Sequence, residues 1–154
     1  MKTMTTIENQ IEILLIEDNP DEAELAIRSL KNSNLANKLI HIDDGEEAIH
    51  YIFGTGPYAH LASAEFPILI LLDLNLPKVN GLDILKLIKN DLRTKSIPVV
   101  VLTSSAEEKD ILHSYQMGVN SYIVKPVNFD SFCQAIKELH MYWVVLNQSP
   151  SISR

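Results

Sequence analysis

Apolar and polar positions alternate along the chain between two patterns. Runs of Val, Ile and Leu occupy residues 13–16, 68–72 and, interrupted only by Pro98, 97–102. Such runs, with no polar residue at every second position, predict strands covered on both faces, as in a parallel sheet. Weaker strands fit residues 39–42 and 121–124. Between them the apolar residues recur at helical spacing. One stripe is Ala23, Ala26, Ile27 and Leu30 after Asn19-Pro20, and a second is Ala48, Ile49, Ile52 and Phe53 after Asp44 and Glu47. A third is Leu82, Leu85 and Ile88 after Asn80-Gly81, and a fourth is Ile111, Leu112 and Tyr115 after Ser105 and Glu108. Asn19 supplies an N-cap with Pro20 at the first helical position, Asp44/Glu47 and Ser105/Glu108 have capping-box spacing, Asn80 and Gly81 read as turn residues, and Gly118 suits a C-cap. A last helix begins near Asn128 and runs towards Leu146. The order βαβαβαβαβα predicts an α/β fold with a parallel sheet, right-handed crossovers and helices on both faces.

These elements predict one domain over residues 11–147, with a flexible N-terminus (1–10) and a flexible polar tail (148–154). One connection, 54–66, is long by domain standards. It reads either as a partner-binding loop or as a variable surface excursion. The composition agrees with a single core: 154 residues, 46% of them hydrophobic. The charge narrows the functions. Lys and Arg number 13 and Asp and Glu 20, so the net charge is 13 − 20 = −7, which disfavours binding to nucleic-acid backbones. Cys133 stands alone and cannot form an internal disulfide, which fits a reducing cytoplasm. The first ten residues do not resemble a signal peptide, and no apolar run approaches the ~20 residues that span a bilayer. The expectation is a cytoplasmic protein with no membrane segment.

In open α/β sheets ligands bind beyond the carboxyl ends of the strands. The residues at those ends are Glu17 and Asp18, Asp73, Thr103 and Lys125. Three carboxylates on one rim repel one another and call for a cation. Oxygen-only ligands point to Mg²⁺, Mn²⁺ or Ca²⁺, and Mg²⁺ fits best because a few carboxylates hold it while several waters stay in place. Its usual partner is a phosphate, on which Lys125 would add positive charge and Thr103 a hydrogen bond. A carboxylate can accept a phosphoryl group covalently, and Asp73, nearest the middle of the cluster, is the candidate nucleophile.

Glu17-Asp18, Asp73 after Leu71-Leu72, Leu76-Pro77 through Asn80-Gly81, Thr103-Ser104 and Lys125-Pro126 together resemble a response-regulator receiver domain. The resemblance implies a doubly wound, flavodoxin-like sheet of strand order 2-1-3-4-5 and phosphoryl transfer from the histidine of a sensor kinase to Asp73. It implies Mg²⁺ held by Asp18, Asp73 and the backbone carbonyl of Asn75, with Glu17 assisting through water. It implies Lys125 and Thr103 on the phosphoryl oxygens, a cis peptide before Pro126, and Tyr122 as an aromatic switch that follows Thr103 inward. Such a protein is no turnover enzyme; it catalyses only its own phosphorylation and dephosphorylation. Ser114-Tyr115-Gln116-Met117-Gly118-Val119-Asn120-Ser121-Tyr122, with the extended loop after Phe53, also resembles the stand-alone regulators paired with bacterial phytochromes.

Only 154 − 125 = 29 residues follow Lys125, too few for an effector domain, so output is expected through protein contact with an unidentified downstream partner. Phe129, Phe132, Ile136, Leu139, Trp143 and Leu146 form one stripe of the last helix. Tyr142, Val144 and Val145 make its end apolar on other sides, which suggests a homodimer contact or, alternatively, an end folded back on its own domain.

Three other classes share parts of this pattern. A flavodoxin-like FMN protein needs a Ser/Thr/Gly phosphate loop after the first strand, where this chain has Glu17 to Glu22. A haloacid-dehalogenase-type phosphatase resembles D-x-D, and here the second position is Asn75. A constitutive receiver-fold adaptor would lack part of the motif, and no part is missing. The five histidines, Cys133 and Met117 read as structural.

Overall fold

The computed structural model describes residues 11–31, 37–61, 66–104, 116, 118–119 and 121–139. The unbroken apolar runs form the middle of the sheet. Strands β1 (Ile11–Ile16), β2 (Asn37–Ile42), β3 (Leu69–Asp73), β4 (Val99–Thr103) and β5 (Ser121–Val124) lie in the order β2-β1-β3-β4-β5. Every neighbouring pair is parallel. All five residues of β3 and of β4 are buried, as expected of strands covered on both faces. At the β5 edge burial alternates, with Ser121 and Ile123 in and Tyr122 and Val124 out.

Among the described residues, four α-helices connect or flank these strands: α1 (Pro20–Lys31), α2 (Gly45–Phe53), α3 (Gly81–Lys89) and α4 (Phe129–Glu138). Their starts follow the sequence closely because each has a side-chain cap for its free N–H groups. Asn19 Oδ1 accepts from the Asp21 and Glu22 backbone N–H groups at 2.9 and 3.0 Å. Asp44 accepts from the Glu47 N–H, Asn80 from the Leu82 N–H, and Asn128 from the Ser131 N–H. Ser131 Oγ accepts in return from the Asn128 N–H, which closes a reciprocal capping box.

The core has two layers, one on each face of the sheet. Alternate residues of β1, Leu14 and Ile16, pack with Ala48 and Ile52 of α2 and with the buried face of α3. Ile13 and Leu15 pack on the other side with Leu30 of α1 and with Phe132 and Ile136 of α4. All four strand ends that carry polar chemistry therefore lie on one rim, between the two helical layers.

Strand boundaries depart from the apolar runs in two ways. Ile68 and Ile97 precede their strands, and Pro98, which has no N–H to give, accepts from the Ile70 N–H at 3.0 Å before β4 starts. At the other side of the sheet, β1 and β2 begin two residues earlier than hydrophobicity suggests, pairing Ile11 with Asn37 and Glu12 with Lys38. β2 is an edge strand, so polar residues are tolerated where no second neighbour covers them.

The described first part of the long connection, residues 54–61, returns onto α2. Gly54 ends α2 in the left-handed region at φ 65°, and a 3-10 turn follows at Gly56–Leu61. The Tyr58 ring stands edge-on to Tyr51 with centroids 5.1 Å apart. Tyr58 donates to Glu47 Oε2 and Tyr51 to Glu12 Oε2, both at 2.5 Å. The predicted stripe at Ile111, Leu112 and Tyr115, Met117, the two termini, and Tyr142, Val144 and Val145 lie outside the described residues. Among the described residues no helix is long and apolar enough to cross a membrane.

Candidate functional site

Each candidate residue sits where a strand stops. β1 ends at Ile16 and delivers Glu17 and Asp18, β3 ends at Asp73, β4 ends at Thr103, and Lys125 follows β5. Parallel register aligns those ends: Ile16 pairs with Leu72, Asp73 with Leu102, and Thr103 with Val124. Glu17, Asp73 and Thr103 are buried, at 2%, 1% and 3% exposure, which is unusual for two carboxylates unless they are paired. Tyr122 lies further back on β5 and is 37% exposed.

Lys125 is the pairing group. Its Nζ lies 2.8 Å from Glu17 Oε1, 2.7 Å from Glu22 Oε1 and 3.0 Å from Asp73 Oδ2. The other oxygens are held by backbone. Asn19 N–H donates to Glu17 Oε2 at 3.1 Å, and Asn75 N–H donates to Asp73 Oδ1 at 2.9 Å. His41 Nε2 lies 2.8 Å from the Glu17 carbonyl oxygen, a structural role of the kind expected for the histidines. The Lys125-Pro126 peptide is cis, as the resemblance implied.

Charge and burial pull against each other here. Burial pushes the Glu17 carboxyl up to about 7, against the opposing pull of Lys125 and the Asn19 N–H. The neighbouring Asp73 carboxylate adds a smaller push in the same direction as burial. For Lys125, burial disfavours the charged form, but Glu17, Glu22 and Asp73 outweigh it and hold its pKa above the ordinary lysine value.

Glu17, Asp18 and Asp73 each bring a carboxylate oxygen within 4.8 Å of the others. An all-oxygen, all-anionic donor set suits a hard divalent cation and fits Mg²⁺. The sequence placed these residues correctly at strand ends, but it did not single out two others. Glu22 was visible only as part of an acidic loop, although a first-turn residue of the helix after β1 faces the same rim. Gly81 was visible as a turn residue. A Cβ there would lie 2.4 Å from the Asp73 carbonyl oxygen, so the start of α3 sits directly on the backbone of the candidate nucleophile.

Known proteins resemble this chain in sequence and fold. The family model for the response regulator receiver domain matches residues 13–137. A probable methanogenesis regulatory protein, FilR2 of Methanothrix harundinacea, is 36% identical over 90% of this chain and 86% of its own length. The response regulator Rcp1 of Synechocystis sp. is 38% identical over 86% of this chain and 88% of its own. An Mn²⁺-bound form of Rcp1 has been solved and superposes with a TM-score of 0.71, covering 86% of this chain and 94% of that one at 38% identity. The solved bacteriophytochrome response regulator RtBRR superposes with a TM-score of 0.80 at 45% identity, covering 92% of this chain and 84% of that one. The phosphorylated cyanobacterial phytochrome response regulator RcpA does so with a TM-score of 0.72 at 42% identity, covering 88% and 94%. With the matched region covering β2 to β5, most of β1 and every residue of the acidic rim, this chain belongs to the response regulator receiver family.

Proposed function

We propose that this protein accepts a phosphoryl group on Asp73 from the phosphohistidine of a sensor kinase, a phytochrome, and signals by phosphorylation-dependent protein association. The observation that carries the reading is the pocket itself. Asp73 is buried beside two further carboxylates that can share a cation, with an ammonium 3.0 Å from its Oδ2. In the transfer, the P–N bond of the phosphohistidine breaks and an Asp73 Oδ–P bond forms. The imidazole leaves and water later hydrolyses the acyl phosphate. Asp18, Asp73 and the Asn75 carbonyl would hold Mg²⁺, with Glu17 assisting through water. When bound, Mg²⁺ supplies positive charge that neutralises the transferring group.

The chain's own residues do the rest. Lys125 places a point charge beside the incoming oxygens, and the Thr103 hydroxyl, at the end of the adjacent strand, donates to one of them. The Asn75 N–H holds Asp73 Oδ1 in place. The phosphoryl group, which puts a charge of about −1.5 to −2 where the carboxylate had −1, draws Thr103 inward, and Tyr122, partly exposed on β5, turns in behind it. That re-packing alters the β5 and α4 surface. Association would then run through Tyr142, Val144 and Val145 to form a homodimer or to engage a downstream protein. The work takes place in the cytoplasm, and the protein turns over no other substrate. The similarity to RtBRR and RcpA supports the phytochrome pairing.

The test is phosphotransfer from candidate phytochrome kinases to wild type and to Asp73→Asn, with and without chelator. Label is expected in wild type with Mg²⁺ alone. Label in Asp73→Asn would overturn the acceptor assignment, and label in chelator would overturn the metal. Sedimentation with and without beryllofluoride reads association, and a monomer in both states would remove the homodimer.

A further inference from the structure

Lys125 has three N–H donors and no acceptor, and the structure gives it three carboxylate partners. Its bonding capacity is therefore filled before any phosphoryl group arrives. One partner must yield for Lys125 to bind a phosphoryl oxygen. Glu17 and Asp73 are poorly placed to yield, because both are buried and each has its second oxygen held by a backbone N–H. Glu22 is different. It stands in the first turn of α1, 103 residues from Lys125 in sequence, and its side chain is 39% exposed. Water can take over its oxygen as soon as the ammonium leaves.

We propose that Glu22 is the releasable counter-ion of Lys125, holding the ammonium in the resting protein and competing with the phosphoryl group for it. The inference rests on the phosphoacceptor reading above. Its physical basis has two parts with the same sign. If Glu22 lets go, the phosphorylated state has lost an ion pair that the resting state had. If Glu22 stays, its charge sits beside a phosphoryl group of about −1.5 to −2. Either way, Glu22 lowers the population of the phosphorylated form relative to a neutral residue at the same place. Glu22 is thus a positioning residue that sets how readily the resting pocket is converted. It acts through Lys125 and touches no reacting atom.

The experiment compares full-length wild type, Glu22→Gln and Glu22→Ala. Beryllofluoride is titrated in the presence of Mg²⁺ by fluorine NMR, and labelling by phosphoramidate is timed in parallel. Glu22→Gln keeps the size and an acceptor oxygen but removes the charge. Both variants are expected to bind beryllofluoride about three- to five-fold tighter, the range of a partly exposed ion pair, and to be labelled faster. The gain should shrink in high salt, which a purely structural effect of the substitution would not produce. Melting temperatures serve as the folding control. Unchanged or weaker binding in folded variants would overturn the role of Glu22 and leave Asp73 as acceptor untouched. A wild type that neither binds beryllofluoride nor takes label would overturn the phosphoacceptor reading, and this inference with it.

Discussion

Gly81→Ala offers a sharp test of how the fold positions Asp73, because two effects of opposite sign act at that residue. Gly81 is the first residue of α3, and alanine is favoured over glycine in a helix interior by about 1 kcal/mol, with a smaller gain at a helix start. Propensity alone therefore predicts a slightly more stable protein. The packing predicts the reverse. A Cβ at position 81 would lie 2.4 Å from the Asp73 carbonyl oxygen, 2.6 Å from Leu74 Cα and 3.0 Å from the Leu74 carbonyl carbon. Ordinary contact begins near ~3.5 Å, so the helix start and the strand end must separate by about 1 Å. All three obstructing atoms are backbone, and no flexible side chain can swing aside. The Gly81 N–H also donates to the Leu74 carbonyl at 3.2 Å, a bond that the separation would stretch. Overpacking of this kind costs about 1–3 kcal/mol, which exceeds the propensity gain. A displacement of about 1 Å at a reacting group can lower its rate by about 10²-fold. Urea unfolding should show a loss of stability, and phosphoramidate labelling under folded conditions should be slower by up to that factor. A variant as stable as wild type and labelled at the wild-type rate would refute the steric reasoning.

Two further outcomes test individual contacts away from the rim. Burial, reinforced by the Glu12 carboxylate that accepts its hydrogen bond, holds the Tyr51 hydroxyl neutral, with a pKa above the ordinary value of 10.0. A folded-state pKa above the unfolded one contributes stability below pH 10 that is lost as pH rises further. Tyr51→Phe should therefore lower stability at neutral pH by about 1–2 kcal/mol and show a shallower alkaline decline than wild type. Parallel unfolding curves from pH 8 upward would count against it. Asn128→Ala removes the side-chain acceptor of the α4 capping box, leaves the backbone N–H that donates to Ser131 Oγ, and should cost about 1 kcal/mol, read by thermal melting. A change within a few tenths would show that α4 is held by Phe132 and Ile136 alone.

The sequence by itself determined the architecture to a large extent. Runs such as 69–72 and 99–102 have no polar side to turn outward, so they require cover on both faces, and a parallel sheet is what provides it. Asn19, Asp44, Asn80 and Asn128 are local signals that act within three residues, and each caps the helix that follows it. Glu17, Asp18, Asp73, Thr103 and Lys125 were legible as a rim because parallel topology fixes which ends of the strands face the same way. Strand starts were less legible where the sheet has an edge, since Asn37 and Lys38 carry no apolar mark of pairing.

Tertiary structure alone decided the contacts between residues distant in sequence. The Glu22 partnership with Lys125 depends on the direction in which α1 leaves β1, and the Tyr51 bond to Glu12 joins residues 39 apart. The approach of Gly81 to Asp73 depends on how closely α3 seats against the end of β3. None of these leaves a periodicity in the chain. Each is set by the packing of helix on sheet, where a shift of about 1 Å separates contact from clash. The residue types at the rim come from the sequence, and the way Lys125 is shared among them comes from the fold.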